Sequence, residues 1–229
     1  MCELRLAKAL GYIEKVPHFN SINNYMRNEE MTAHLHRVYK TLAMPLVSIE
    51  GTFAVDATGI SNRKKIHWVD YRLQKRVYRD WKKLHITSGV LSGIVTAARV
   101  TESKQHDSLH FEHLVRQTSE NFKILEVCAD SGYLSRANAQ LVEDVGGTPY
   151  IMMKSNIRLT HPMITKRAVA WKKMIRLWRD HRELFLQHYH QRSNVESTFS
   201  AIKRKFLPYV RSKDDTAQIN EILCKNSLS

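Results

Sequence analysis

The sequence predicts an α/β fold of five strands flanked by helices, preceded by a short helical segment. Three observations predict it. From Phe53 onward, short apolar runs with strand character alternate with stretches of helical periodicity. Two of those runs, Phe53-Ala54-Val55 and Ile124 to Ala129, stop on an aspartate. The chain has 229 residues, enough for one sizeable α/β domain and a small appendage.

Residues 1–50 read as helical and amphipathic, with a break at Pro17. Asn20 or Ser21 can cap a short helix through Tyr25, and Asn28 with Glu29 and Glu30 can open a second. Met31, Leu35, Val38, Tyr39 and Leu42 recur at helical spacing, and Pro45 ends the run. Packing is the role these residue types support. Phe53-Ala54-Val55 then forms a short strand that ends on Asp56, where a carboxylate is costly unless paired, hydrogen-bonded or metal-bound. Leu84 to Leu91 and Ile94 to Thr101 read as two strands joined at Ser92-Gly93 in a tight hairpin. A helix follows from about Ser108 to Gln117, with Asp107 as its N-cap. His106, His110 and His113 fit no strong zinc spacing and read as histidines on a wet helix face.

Ile124 to Ala129 is the second apolar strand, and it ends on Asp130. Ser131-Gly132-Tyr133 turns into a helix closed by Gly146-Gly147, and Thr148 to Lys154 is a further strand. Residues 166–190 read as a cationic helix with Trp171, Met174, Ile175 and Trp178 on its core face. A last amphipathic segment covers about Asp215 to Leu223.

Between these lies Tyr189 to Lys203, reading YHQRSNVESTFSAIK. At ~100° per residue, Tyr189, Arg192, Glu196 and Lys203 project onto one arc of roughly 60° on a helix. Val195, Phe199, Ile202 and Phe206 make an apolar stripe beside that arc. Such a helix presses one face into a core and holds a carboxylate between cations at the core's edge. Taken alone, Ser193 and Glu196 are equally a capping box, in which the glutamate closes a helix start. The two readings of Glu196 stand level on this stretch.

The spacing Y-x2-R-x3-E-x6-K resembles the signature around the catalytic glutamate of DDE transposases from bacterial insertion sequences. FAVDATGIS around Asp56 and VCADSGY around Asp130 resemble the two aspartate segments of the same family. The resemblance implies a ribonuclease H-like fold, in which the five-stranded sheet is mixed and the first and fourth strands lie side by side. It implies Asp56, Asp130 and Glu196 as catalytic metal ligands for Mg²⁺ or Mn²⁺, with two ions expected. Tyr189, Arg192 and Lys203 would hold the DNA backbone near the cut. The activity implied is metal-dependent hydrolysis at transposon ends followed by strand transfer into target DNA, by a homodimer in the active complex. Residues 1–50 then correspond to a remnant of the end-recognition region and 51–229 to the catalytic domain. His106 and Asp107 resemble a pair found at this place in the family, and no role is assigned to them. Family members carry a longer N-terminal part, so the alternative is a truncated, non-catalytic DNA-binding remnant.

Charge agrees with a polyanionic partner: 36 Lys and Arg against 22 Asp and Glu give a net charge of +14. The three cysteines are far apart and read as free thiols in a reducing compartment, with Cys128 a small core residue. No run is long enough to span a bilayer, so a cytoplasmic, nucleoid-associated protein is expected. The most basic stretch, residues 62–83, interleaves Lys64, Lys65, Arg72 and Arg76 with Trp68, Tyr71, Tyr78 and Trp81. Cations neutralise phosphates and rings stack on bases, so DNA contact is expected there. Changing Lys64, Lys65, Arg72 and Arg76 to alanine should weaken duplex binding whatever the DNA sequence. The slope of log affinity against log salt should flatten by about 0.9 for each phosphate no longer neutralised. An unchanged slope would return this stretch to the status of a solvated loop.

Overall fold

A computed structural model describes residues 8–11, 14–62, 81–155 and 169–227. Lys64, Lys65, Arg72 and Arg76 lie outside the described residues. Two helices, α1 (Phe19–Met26) and α2 (Glu29–Ala43), precede the sheet. Strand β1 (Thr52–Ser61) pairs antiparallel with β2 (Trp81–Gly89), and β2 with β3 (Val95–Glu102). Helix α3 (Phe111–Ser119) leads to β4 (Glu126–Ala129), α4 (Arg136–Asp144) and β5 (Thr148–Ile151). Helices α5 (Val169–Asp180), α6 (Arg182–His190), α7 (Ser193–Phe206) and α8 (Asp215–Ser227) complete the chain. The sheet order is β3-β2-β1-β4-β5, with β4 parallel to β1 and β5 parallel to β4. This is the mixed sheet of a ribonuclease H-like fold.

Strand alternation divides the core into two clusters. Phe53 and Val55 of β1 join one with Phe111, Leu114, Val127, Ala129 and Val142. Ala54 and Ile60 join the other with Leu84, Ile86, Val195, Phe199 and Ile202. The apolar stripe of α7 therefore rests on the sheet as its periodicity predicts, and Cys128 is wholly buried. In α2, Leu35 and Tyr39 are buried on this second cluster, whereas Val38 and Leu42 are exposed. The buried Asn220 of α8 ties the N-terminal helices down: its amide donates to the carbonyls of Met26 (2.9 Å) and Asn28 (3.0 Å).

Several expected boundaries differ. The first helix is capped by His18, whose Nδ1 accepts from the Asn20 amide, instead of by Asn20 or Ser21. Asn28 caps the second as expected, accepting from Glu30 N at 2.9 Å. Strand β1 runs ten residues, well past the apolar run, because β2 supplies antiparallel partners as far as Ser61. The cationic helix expected over 166–190 is, from Val169 onward, two helices broken at His181. Asp107 is not a side-chain cap: it opens a short 3-10 turn (Asp107–His110), and its Oδ1 accepts from Lys83 Nζ at 2.8 Å. Lys82, inside the basic stretch, is buried and paired with Glu102 and Asp215, so it clasps β2 to β3 and to the start of α8.

His110 is buried, contrary to the wet face expected for it, and its ring lies 4.6 Å from that of the buried His85. His85 Nε2 meets Thr101 Oγ1 at 2.8 Å. Burial, and then the neighbouring His110, push His85 down from 6.5 to about 4. A folded value below the unfolded one means that the unfolded chain takes up the proton first. Stability is therefore whole above about pH 6.5 and falls as pH drops toward 4, by roughly 2–3 kcal/mol. The His85 imidazole resonance should titrate near pH 4 in NMR spectra, and a midpoint near 6.5 would contradict this packing.

Candidate active site

The sheet supplies the first two carboxylates. Parallel pairing of β1 with β4 ends at Val55 and Ala129, and Asp56 and Asp130 are the next residues on the two strands. Asp56 is thus not at the end of its own strand. It lies inside β1, still paired with Ile86 of β2, at the point where the β4 ladder stops. Asp130 leaves β4 into the 3-10 turn Ser131–Tyr133, and its Oδ1 accepts from the Gly132 amide. A Cβ on Gly132 would lie 2.8 Å from that oxygen, so the turn has room for glycine only while the carboxylate keeps its position.

The third carboxylate arrives on α7. The signature does not lie on one unbroken helix: Tyr189 ends α6, and Arg192 is the residue before α7. Both Gln191 and Arg192 stay in the right-handed helical region. Bonds of the i+3 type, such as Arg192 N to Tyr189 O (3.0 Å) and Val195 N to Arg192 O (3.0 Å), carry the chain round. The capping box is absent. Ser193 Oγ donates back to His190 O at 2.9 Å, and the Glu196 carboxylate turns to Arg192 instead. Asn194 Nδ2 donates to Val90 O at 2.9 Å, which fixes the start of α7 against the β2–β3 hairpin.

One guanidinium joins two of the acids. Arg192 Nη1 donates to Asp56 Oδ2 at 2.6 Å, and Nη2 donates to Glu196 Oε1 at 2.8 Å. The Asp56 and Arg192 side chains are 18% and 19% exposed, while Glu196 is 59% exposed, so the first pair is the desolvated one. Burial pushes the Asp56 carboxyl above the usual carboxylate range. The Ala57 amide and Arg192 oppose that push, and the charges of Asp130 and Glu196 add to it. Asp56 therefore feels the charges of both other predicted acids. Among the described residues, however, no three His, Cys, Asp or Glu side chains converge closely enough to hold a metal ion.

Tyr189 packs half-buried against the first core cluster, and its ring centroid lies 5.9 Å from the Arg192 guanidinium. Lys203 Nζ donates to Thr58 Oγ1 at 2.6 Å. Thr58 is two residues beyond Asp56 and so on the same face of β1. No carboxylate lies within ion-pair distance of Lys203 among the described residues, and burial pushes its ammonium below the usual lysine range. Sequence reasoning passed over two contributors. Thr58 is the acceptor for Lys203, hidden in FAVDATGIS as an ordinary strand residue. Tyr133 buries a hydroxyl without a hydrogen-bond partner among the described residues. Burial raises its pKa, and Asp56, Asp107 and Asp130 add to the rise, which brings Asp107 into the surroundings of the acids.

The model of the transposase DDE domain matches residues 48–221, and the chain belongs to that family. Among solved structures, a pre-cleavage Mos1 transpososome aligns with 97% of this chain and 66% of that one, at 11% identity and a TM-score of 0.30. The chain thus spans just under two thirds of that protein's length, and the likeness is too remote to inform the site. No curated protein matches the sequence. Among the described residues, no helix is long and apolar enough to cross a membrane.

Lys203 is a desolvated cation whose polar partner is a neutral hydroxyl, so removing its charge should not destabilise the fold. Lys203→Met should leave the melting temperature unchanged or raise it, by roughly 0–3 °C. A clear fall in a thermal melt would mean that the bond to Thr58 is structural.

Proposed function

We propose that this chain is a DNA transposase that hydrolyses a phosphodiester at a transposon end and joins the freed 3′-hydroxyl to target DNA. Asp56, Asp130 and Glu196 are its metal ligands. The observation that carries this reading is the fork of Arg192 between Asp56 on the central strand and Glu196 on α7, with Asp130 next in register on β4. Arg192–Glu196 alone would be a local i,i+4 pair, and it is the second arm, on Asp56 136 residues away in sequence, that ties the glutamate helix to the central strand. The donor set fits a hard divalent cation: three carboxylates, with no thiolate and no imidazole among them. Bound there, Mg²⁺ or Mn²⁺, with two ions expected, would activate the nucleophile and stabilise the leaving oxygen.

The chain's own residues do the rest. Asp56 is fixed by the sheet and by the Ala57 amide (2.8 Å), which sets its orientation before any ligand arrives. Asp130 is fixed by its turn, and Glu196 is the exposed member, held by Arg192. Lys203 offers a point charge, and Arg192 a planar fork, to phosphate oxygens of the DNA near the cut. Tyr189 supports the guanidinium from its ring. Residues 1–50 act as the remnant of an end-recognition region in this reading, and a homodimer brings two ends together.

Glu196→Gln separates a ligand from a structural residue. The Arg192–Glu196 pair is exposed on the glutamate side, so its loss should cost no more than about 0.5–1 kcal/mol. A neutral amide is a poor substitute for a carboxylate on Mg²⁺. The variant should therefore keep its melting temperature and its affinity for DNA in the absence of divalent metal, and lose Mg²⁺-dependent nicking of an end-containing duplex. Nicking at the wild-type rate would remove Glu196 from the chemistry. An alternative, a non-catalytic DNA-binding remnant, predicts no nicking and no Mn²⁺ binding by the wild-type chain.

A further inference from the structure

Arg192 spends both arms of its guanidinium on carboxylates, Asp56 Oδ2 at 2.6 Å and Glu196 Oε1 at 2.8 Å. These are oxygens that the proposed reaction gives to a cation. A guanidinium lying between two carboxylates holds them one on each side of its plane edge, and lone pairs aimed at its N–H groups do not converge on a common ion. That keeps Asp56 and Glu196 from closing with Asp130 into a group of three, and none is found among the described residues. We propose that Arg192 and the divalent ion compete for Asp56 and Glu196, and that a DNA phosphate resolves the competition by drawing the guanidinium away. The inference rests on the metal-dependent reading above and goes beyond it: metal loading becomes conditional on DNA.

Three features of the site favour the exchange. A phosphate offers a guanidinium the same bidentate geometry as a carboxylate, with more negative charge. Lys203 reaches the same face of β1 through Thr58, so a phosphate attracted by its ammonium arrives beside Arg192. Glu196 is the exposed partner, and an exposed ion pair costs little to open. By reciprocity, if DNA strengthens metal binding by some factor, metal must strengthen DNA binding by the same factor. Arg192 is a positioning residue here, acting on the ion through the carboxylates.

The test is Mn²⁺ binding, measured by calorimetry and by the Mn²⁺-induced rise in melting temperature. It compares wild type, Arg192→Gln, Arg192→Lys and Asp56→Asn, all free of DNA. Arg192→Gln should bind Mn²⁺ about tenfold tighter than wild type and show the larger thermal rise. Arg192→Lys should fall between them, since an ammonium cannot fork across two carboxylates. It also carries the test should the glutamine variant fold poorly. Mn²⁺ should strengthen short-duplex affinity in wild type about tenfold relative to Asp56→Asn, and this coupling should shrink to within about threefold in Arg192→Gln. If Asp56→Asn loses Mn²⁺ while neither Arg192 variant binds it tighter than wild type, the competition is wrong and the metal site stands. If Asp56→Asn binds Mn²⁺ as wild type does, the metal site and the competition both fall.

Discussion

A carboxylate in the central strand of a sheet is the constraint around which this structure is arranged. Asp56 sits between an antiparallel neighbour, β2, and a parallel one, β4, that stops one residue earlier. Because β4 stops there, Asp130 leaves the ladder beside Asp56 and turns into the 3-10 segment, while the Asp56 side chain stays 18% exposed. The early end of β4 opens a notch, and the chain must then supply positive charge there or leave the carboxylate protonated. Arg192 supplies it. The interaction reaches from β1 to the entrance of α7, so the same contact that opposes the effect of burial on Asp56 also fixes where the glutamate-bearing helix begins.

The outer elements hold that notch open without entering it. The chain after α7 returns through Leu207, at φ 70°, and pairs again with the far end of β1, where Ser61 N donates to Pro208 O at 3.0 Å. Between Asp56 and the bridge at Ser61 no further strand among the described residues lies on the β4 side of β1, and Lys203 of α7 reaches Thr58 on the face that Asp56 shares. Behind the sheet edge, buried polar residues act as clasps. Lys82 joins β2 to α8 through Asp215, and Asn220 joins α8 to the N-terminal helices. A lone buried cation is costly, but Lys82 has two carboxylates, and they hold its ammonium above the usual range despite burial. These polar joints set where α8 lies, which a purely apolar contact would leave freer to slide.

Much of this was legible in the sequence, for reasons that differ from element to element. The succession of strands and the helix stripes followed from periodicity, because Val195, Phe199 and Ile202 or Phe53 and Val55 are apolar at positions that only one geometry can bury, whereas the pairing of the first strand with the fourth was implied by the family resemblance alone. The length of β1 was not legible. Asp56, Ala57, Thr58 and Gly59 carry no strand signal of their own, and their extended backbone is imposed by β2 across the ladder. His110 departs from expectation because a histidine two residues from a loop is usually solvated; here its ring covers His85, whose position depends on a strand far away in sequence. The basic stretch contains Lys82 as a buried clasp, which no local pattern separates from its solvated neighbours. The Ser193–Glu196 pair meets every local requirement for a capping box and yields to a tertiary contact.

That last outcome bears on how the acids work together. In a capping box Glu196 would spend its charge on a backbone amide, fixed at the start of its own helix. Instead the start of α7 is closed by i+3 backbone bonds, and the carboxylate is left to a side chain that can let go. Arg192 can exchange a carboxylate for a phosphate with little change in its own geometry, whereas a helix amide has no second place to point. The three acids then differ in a consistent way: Asp56 is set by the sheet, Asp130 by a glycine turn, and Glu196 by an ion pair that opens to solvent. In the proposed reaction, two rigid ligands and one releasable one would give a site that can assemble around a substrate and come apart afterwards. A third rigid ligand would fix the repulsion among three carboxylates permanently into the folded state.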